Sequence, residues 1–124
     1  LVRQYRYGAE KMTLETPAGM IDPTDASPAD AARRELLEET GYTAEAIIPI
    51  GEVDPNPAIQ NNRFHVFLAL NARRTSEQNL DATEDLSVEL RPLRDIPSLI
   101  ASGEISHALD VTSFYFLDLY RRGL

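Results

Sequence analysis

The chain has 124 residues, 43% hydrophobic and 26% charged, with twelve basic against twenty acidic side chains and a formal charge of −8. That length supports one compact domain, and the charge opposes nucleic-acid phosphates and leaves no polybasic patch for a membrane. The absence of Cys removes a disulfide framework, a thiolate zinc site and a cysteine nucleophile, and is compatible with a reducing cytosol.

No initiator Met and no signal-peptide layout stand before Leu1, so the numbered chain is expected to begin inside a longer gene product. Residues 1–6 alternate in a β-like manner, and residues 12–15 give a second short strand after a turn around Gly8. Residues 16–27 form a polar loop punctuated by Pro17, Gly19 and Pro23. Ser27-Pro28-Ala29-Asp30 is a helix start: a hydroxyl to accept an orphan N–H, a proline in the first turn, and a carboxylate at the positive end. The helix is expected to run to about Thr40 and stop at Gly41, with Ala29, Ala32 and Leu36 as its buried stripe.

Residues 43–53 read as a strand, 54–62 as a loop rich in Pro and Asn, 63–71 as the strongest strand, and 72–83 as a polar loop. Leu86, Val88 and Leu90 alternate with Ser87 and Glu89 in a further strand. A short helix over 95–102, with Pro97 in its first turn, precedes a final helix over 106–121. Together these elements predict an α/β/α sandwich around a mixed sheet.

The stretch that carries chemistry is Arg34-Glu35-Leu36-Leu37-Glu38-Glu39-Thr40-Gly41-Tyr42. At 100° per residue Glu35, Glu38 and Glu39 share one helix face. Like charges one turn apart destabilise a helix by roughly 0.2–0.5 kcal/mol per pair, and a divalent cation reverses that sign, because Mg²⁺ or Mn²⁺ takes hard oxygen ligands. Arg34 is placed to reach Glu38 and fix its rotamer. The plain alternative is a solvated charged face. Against it stands Gly19, in a loop able to fold back beside the acids and turn a backbone carbonyl toward an ion.

Gly19 together with residues 34–42 resembles the signature of the Nudix hydrolases, which cleave nucleoside diphosphates linked to another group. The helical half matches fully. In the loop half Asp25 stands six positions after Gly19, but Arg34 follows nine later where the family has eight, so one residue is inserted. Val2-Arg3-Gln4-Tyr5-Arg6 followed by Glu15-Thr16-Pro17-Ala18-Gly19 resembles the ADP-ribose pyrophosphatase branch. The resemblance implies a Nudix-like fold over residues 1–124, with an N-terminal β segment lying upstream and a homodimer.

It further implies that the Ala18 carbonyl, Glu35 and Glu39 hold Mg²⁺ or Mn²⁺, with Glu38 close by. Glu84, in the acidic run 81–85, is the candidate for a further ligand or the general base. Glu38 is the second choice as base, Ala82 standing where some relatives have another Glu. Arg3 and Arg6 are candidates to grip the diphosphate or ribose phosphate, and Glu15 to accept from a ribose hydroxyl. Asn56 and Pro57 begin a run similar to that of a nucleoside-diphosphate-sugar hydrolase subgroup, whose loop would border substrate. The partner so implied is a small-molecule nucleoside diphosphate sugar, not a nucleic acid or a membrane. ADP-ribose split to AMP and ribose 5-phosphate comes first, with GDP-mannose, a nucleoside triphosphate, or binding without turnover as rivals. His65 is expected to be structural, His107 a cap or surface group, and Phe114, Tyr115 and Phe116 core.

Overall fold

A computed structural model describes all of residues 1–124. In chain order the elements are β1 (Val2–Arg6), β2 (Lys11–Glu15), α1 (Pro28–Thr40), β3 (Tyr42–Thr43), β4 (Ala46–Val53), β5 (Phe64–Leu70), β6 (Arg73–Arg74), β7 (Ser87–Val88), α2 (Ile96–Ala101) and α3 (Ala108–Arg121).

β1 and β2 form an antiparallel hairpin with Val2 opposite Glu15 and Arg6 opposite Lys11, and β7 closes the other edge of β1. The residue that takes the left-handed backbone in the turn is Glu10, at φ 54°, not Gly8. Burial in the hairpin follows position along it and not alternation: Val2 and, on the opposite face, Leu14 are fully buried near its open end, whereas Tyr5 and Met12, paired nearer the turn, are exposed. Leu14 meets Ile96, Leu99 and Ile105 in the main apolar cluster, with Leu1, Ile100 and Phe114 against it. Each such side chain contributes roughly 1.5–3 kcal/mol when fully buried, so the cluster ties the hairpin to α2 and α3.

The expected strand 43–53 is two strands: β3 pairs with β6, and β4 pairs with β5. β4 slips register between Pro49 and Gly51, where proline has no N–H for the ladder and an extra residue is absorbed as a bulge. α1 packs on β3, β4 and β5, and α3 packs on β4 and β5, which puts the β4–β5 ribbon between two helices. The α/β layering is therefore present, but its strands lie in three separate sheets whose pairings are all antiparallel. No parallel pair joins them into one mixed sheet. The reason is in the edges: β5 has β4 as its one partner, and on the outer edge of β2 the Leu14 N–H donates to the Glu104 carbonyl of a loop instead of to a strand.

Tyr115 departs from expectation. It is 61% exposed, while Phe114 joins the core and the Phe116 ring lies directly under Gly51. Three consecutive helical residues span about 200° of arc and cannot all face inward.

Candidate metal centre

α1 begins as its sequence dictates. The Ser27 hydroxyl accepts the Asp30 N–H at 3.1 Å, with Pro28 in the first turn. It ends at Gly41, φ 76°, whose N–H donates to the Leu37 carbonyl. Gly41 is required twice, since its carbonyl also accepts from the Thr75 and Ser76 N–H groups and a Cβ there would run into the Ser76 carbonyl. Within this frame the most buried residues of α1 are Ala31, Glu39 and Thr40, whereas Ala29, Ala32 and Leu36 are only half-buried.

Glu39, 6% exposed, accepts the Ala18 N–H at 3.2 Å, so the loop after β2 lies over it. Gly19 sits directly on the Glu35 carboxylate, which would have to swing aside to admit a Cβ there. Arg34 gathers the neighbouring acids: its Nε and Nη2 each donate to Asp25 at 2.9 Å, and its Nη1 donates to Glu35 at 3.0 Å and Glu38 at 3.2 Å. Its Nη2 also reaches the Met20 carbonyl. The inserted loop residue thus leaves the Asp25–Arg34 pair intact, and the pair holds residues 20–25 against the helix.

Glu84 is brought in by the chain that follows α1. Asn79 donates its N–H to the Glu38 carbonyl at 2.8 Å, and the Gln78 amide donates to the carbonyls of Glu39 and Leu86. Glu84 then accepts the Asp81 N–H. Its charge falls on the cluster. Burial, then the charges of Glu35 and Glu84, push Glu39 up to about 8. Burial likewise raises Glu35, with Arg34 opposing and Glu38 and Glu84 adding. A buried carboxylate with one backbone donor, crowded by Glu35 and Glu84 and opposed by the Arg6 charge, beside acids that share Arg34, is a donor set that suits a divalent cation of the Mg²⁺ or Mn²⁺ kind. Glu35, Glu39 and Glu84 act on one another through their charges here, with Glu38 beside them.

The basic candidates are placed differently. Arg6 makes a bidentate pair with Glu15 at 2.8 Å on both arms and feels the charges of Asp110 and Glu39, so it lies next to the cluster. Burial alone would raise Glu15, but Arg6 and Thr13 hold it below the ordinary range. Arg3 is engaged elsewhere, with Glu89 and Glu104, and Arg91 shares both acids. Asn56 closes a turn through its carbonyl, which accepts from Ile59 and Gln60. Pro57 lines a shallow exposed depression formed by 57–62. Neither is brought to the acids, but Asn62 at the far end of that loop is: with Gly19, Glu35, His65 and Phe67 it lines a cavity of about 670 Å³ between α1 and β5. His107 caps α3, its Nδ1 accepting the Leu109 N–H.

The one group of His, Asp and Glu residues whose ligand-type atoms all lie within 4.8 Å of one another is Glu15, His107 and Asp110; the acids of α1 and Glu84 are not drawn together that closely. There Glu15 already has a cation in Arg6 and Asp110 accepts two donors from Thr16, which makes it a poorer cation site than the α1 face. Asp110, Thr16, Gln78 and Asn79 escape sequence reasoning. An acid in the first turn of α3 was the one visible sign, and helix-dipole preference explains that placement without any site.

The fold and site define an α/β domain built around an acidic, doubly capped helix with a glycine loop laid against its carboxylates. Residues 1–109 match the model of the NUDIX domain, and the chain belongs to that family. It is 33% identical over 120 residues to an ADP-ribose pyrophosphatase of Bacillus subtilis, covering 96% of this chain and 64% of the relative. To a GDP-mannose pyrophosphatase of Cronobacter sakazakii it is 28% identical over 127 residues, covering 96% and 65%. A solved structure of an ADP compounds hydrolase superposes with a TM-score of 0.87 at 25% identity, covering 98% of this chain and 65% of that one. The chain thus spans 64–65% of the length of these relatives. No helix is long and apolar enough to cross a membrane.

Proposed function

We propose that this domain hydrolyses the pyrophosphate bond of ADP-ribose or a related nucleoside diphosphate sugar in the presence of Mg²⁺ or Mn²⁺, releasing AMP and ribose 5-phosphate. The observation that carries the reading is the buried Glu39 carboxylate, crowded by Glu35 and Glu84 under the loop at Ala18 and Gly19. The relatives named as pyrophosphatases of ADP-ribose and of GDP-mannose support the substrate class.

In this mechanism water attacks one phosphorus, the bridging P–O bond breaks, and a carboxylate takes the water's proton. Glu84 is assigned that proton and Glu38 is the second choice. Arg34 orients Glu35 and Glu38 through its two Nη1 bonds. Glu35, Glu39 and Glu84, with the Ala18 carbonyl, would hold the cation, which when bound neutralises charge developing on the phosphate oxygens. Arg6 is nearly half exposed and can exchange one arm from Glu15 to a substrate phosphate, freeing Glu15 to accept from a ribose hydroxyl. For Arg3 the same role requires leaving Glu89 and Glu104, so Arg6 carries more of it. Asn56 and Pro57 border substrate in this reading only if the 54–62 loop extends along the cavity that Asn62 already lines.

An N-terminal β segment outside residues 1–124, a homodimer and a cytoplasmic setting belong to the same proposal. What supports the first is that β5 pairs on one edge only, while Phe64 to Phe67 line the cavity. The test is incubation with ADP-ribose, GDP-mannose and nucleoside triphosphates in Mg²⁺ and in Mn²⁺, with chromatography of the products. AMP from ADP-ribose supports the reading, GMP from GDP-mannose moves the substrate, and ADP-ribose binding without turnover in either ion points to a binding module.

A further inference from the structure

Asp110 lies one residue beyond the family match, which ends at residue 109, and belongs to α3, an element that contributes no carboxylate to the acidic face of α1. It is 4% exposed. Its Oδ1 accepts the Thr16 N–H at 2.7 Å and the Thr16 hydroxyl at 2.5 Å. Both partners are thus donors of the loop residue that follows β2, ninety-four positions away in sequence. Two residues later the same loop donates the Ala18 N–H to Glu39, and the next residue, Gly19, rests on the Glu35 carboxylate.

The connection between these two attachments is short and stiff. Thr16 and Ala18 are separated by two peptide steps, at most about 7 Å, and the residue between them is Pro17, whose ring fixes φ near −65°. A displacement of Thr16 therefore passes directly to the Ala18 N–H. At Gly19 the loop already rests on the end of the Glu35 side chain, so a shift of the loop is felt at that carboxylate. The loop has an anchor at one end and the carboxylates at the other.

Asp110 is suited to be that anchor. It stands in the first turn of α3, after the His107 cap, where the helix end favours negative charge. The groups facing it are Thr16 and Glu15 from the end of β2 and His107 from its own cap, with Arg6 acting from β1. Glu15 is taken up by Arg6, so the Asp110 carboxylate is left to the two Thr16 donors. Where the carboxylate is ionised, bonds of this kind are roughly twice as strong as neutral ones.

We propose that Asp110 is a positioning residue of the metal centre, setting the height of residues 16–19 against Glu35 and Glu39 through its paired bonds to Thr16. This rests on the cation site of the proposed function. It places the C-terminal helix in control of the geometry of α1, with no contact between Asp110 and the ion.

The test is Mn²⁺ titration, by electron paramagnetic resonance of the free ion, of the wild-type protein and of Asp110→Asn, Thr16→Val and Thr16→Ser, each shown folded by circular dichroism at the working temperature. Partners that orient metal ligands are typically worth ten- to hundredfold in affinity. Asp110→Asn and Thr16→Val are expected to weaken Mn²⁺ binding by at least about tenfold, and Thr16→Ser, which keeps both donors, by less than about twofold. If Asp110→Asn does not fold, Thr16→Val decides alone, because it keeps the backbone bond and removes only the hydroxyl. A lowered melting temperature with wild-type Mn²⁺ affinity would assign Asp110 to the fold alone and overturn the proposal. Wild-type protein that binds no Mn²⁺ removes the cation site itself, and that result is distinguishable because it precedes any comparison of variants.

Discussion

Glu39→Gln separates the stability of the metal-free domain from its function. Burial and the charges of Glu35 and Glu84 raise Glu39 from 4.5 to about 8. At about 1.4 kcal/mol for each pKa unit, that rise corresponds to roughly 4–5 kcal/mol, a large share of the roughly 5–15 kcal/mol that holds a typical domain folded. The sign follows from proton linkage. A carboxyl whose folded pKa is raised keeps its proton in the native state when the unfolded chain has lost it, so its stabilisation is complete below about pH 4.5 and is lost as pH rises through about 8. Metal-free wild-type protein should therefore lose roughly 3–4 kcal/mol of that between pH 5 and pH 8, the remainder falling outside this window. Glu39→Gln, which keeps an oxygen for the Ala18 N–H and never ionises, should lose much less and be the more stable protein at pH 8. Urea unfolding in the presence of a chelator at both pH values measures this. Added Mn²⁺ should then raise the wild-type midpoint at pH 8 and leave the variant nearly unmoved, while ADP-ribose turnover of the variant falls by orders of magnitude. Identical pH dependence in the two proteins would refute the reasoning, since Glu39 would not then be the buried, crowded acid described above.

Other substitutions probe the frame around that acid. Gly19→Ala meets only the end of the Glu35 side chain, so calorimetry should find a melting temperature close to wild type while Mn²⁺ affinity drops about tenfold. Gly41→Ala meets the Ser76 backbone at a positive φ and should cost at least about 1–2 kcal/mol in urea unfolding. Arg34→Lys replaces a planar fork by a point charge and should lower turnover about tenfold with little change in circular dichroism; full activity would exclude Arg34 as the residue that orients Glu35 and Glu38.

The parts of the molecule legible from sequence are those fixed by neighbours along the chain. Ser27, Pro28 and Gly41 set both ends of α1, and helical spacing placed Arg34 against Glu38, because capping and i,i+4 geometry are local. Gln78 and Asp110 were not legible, since each bonds backbone far away in the chain and nothing within a few residues marks it. The division of the strands into three antiparallel sheets was likewise hidden, because alternation tells which face of a strand is buried and not which strand lies beside it. Periodicity also favoured Leu36 over Glu39 as a buried residue of α1. The burial of Glu39 is imposed by the loop at Ala18, a contact that costs free energy unless an ion compensates it.

The central claim is that the carboxylates of α1, with Glu84, form the cation site. Anomalous diffraction from crystals grown in Mn²⁺ tests it most directly. The account predicts a peak among Glu35, Glu39 and Glu84 beside the Ala18 carbonyl; a peak instead between Glu15, His107 and Asp110, or none within the domain, would contradict it.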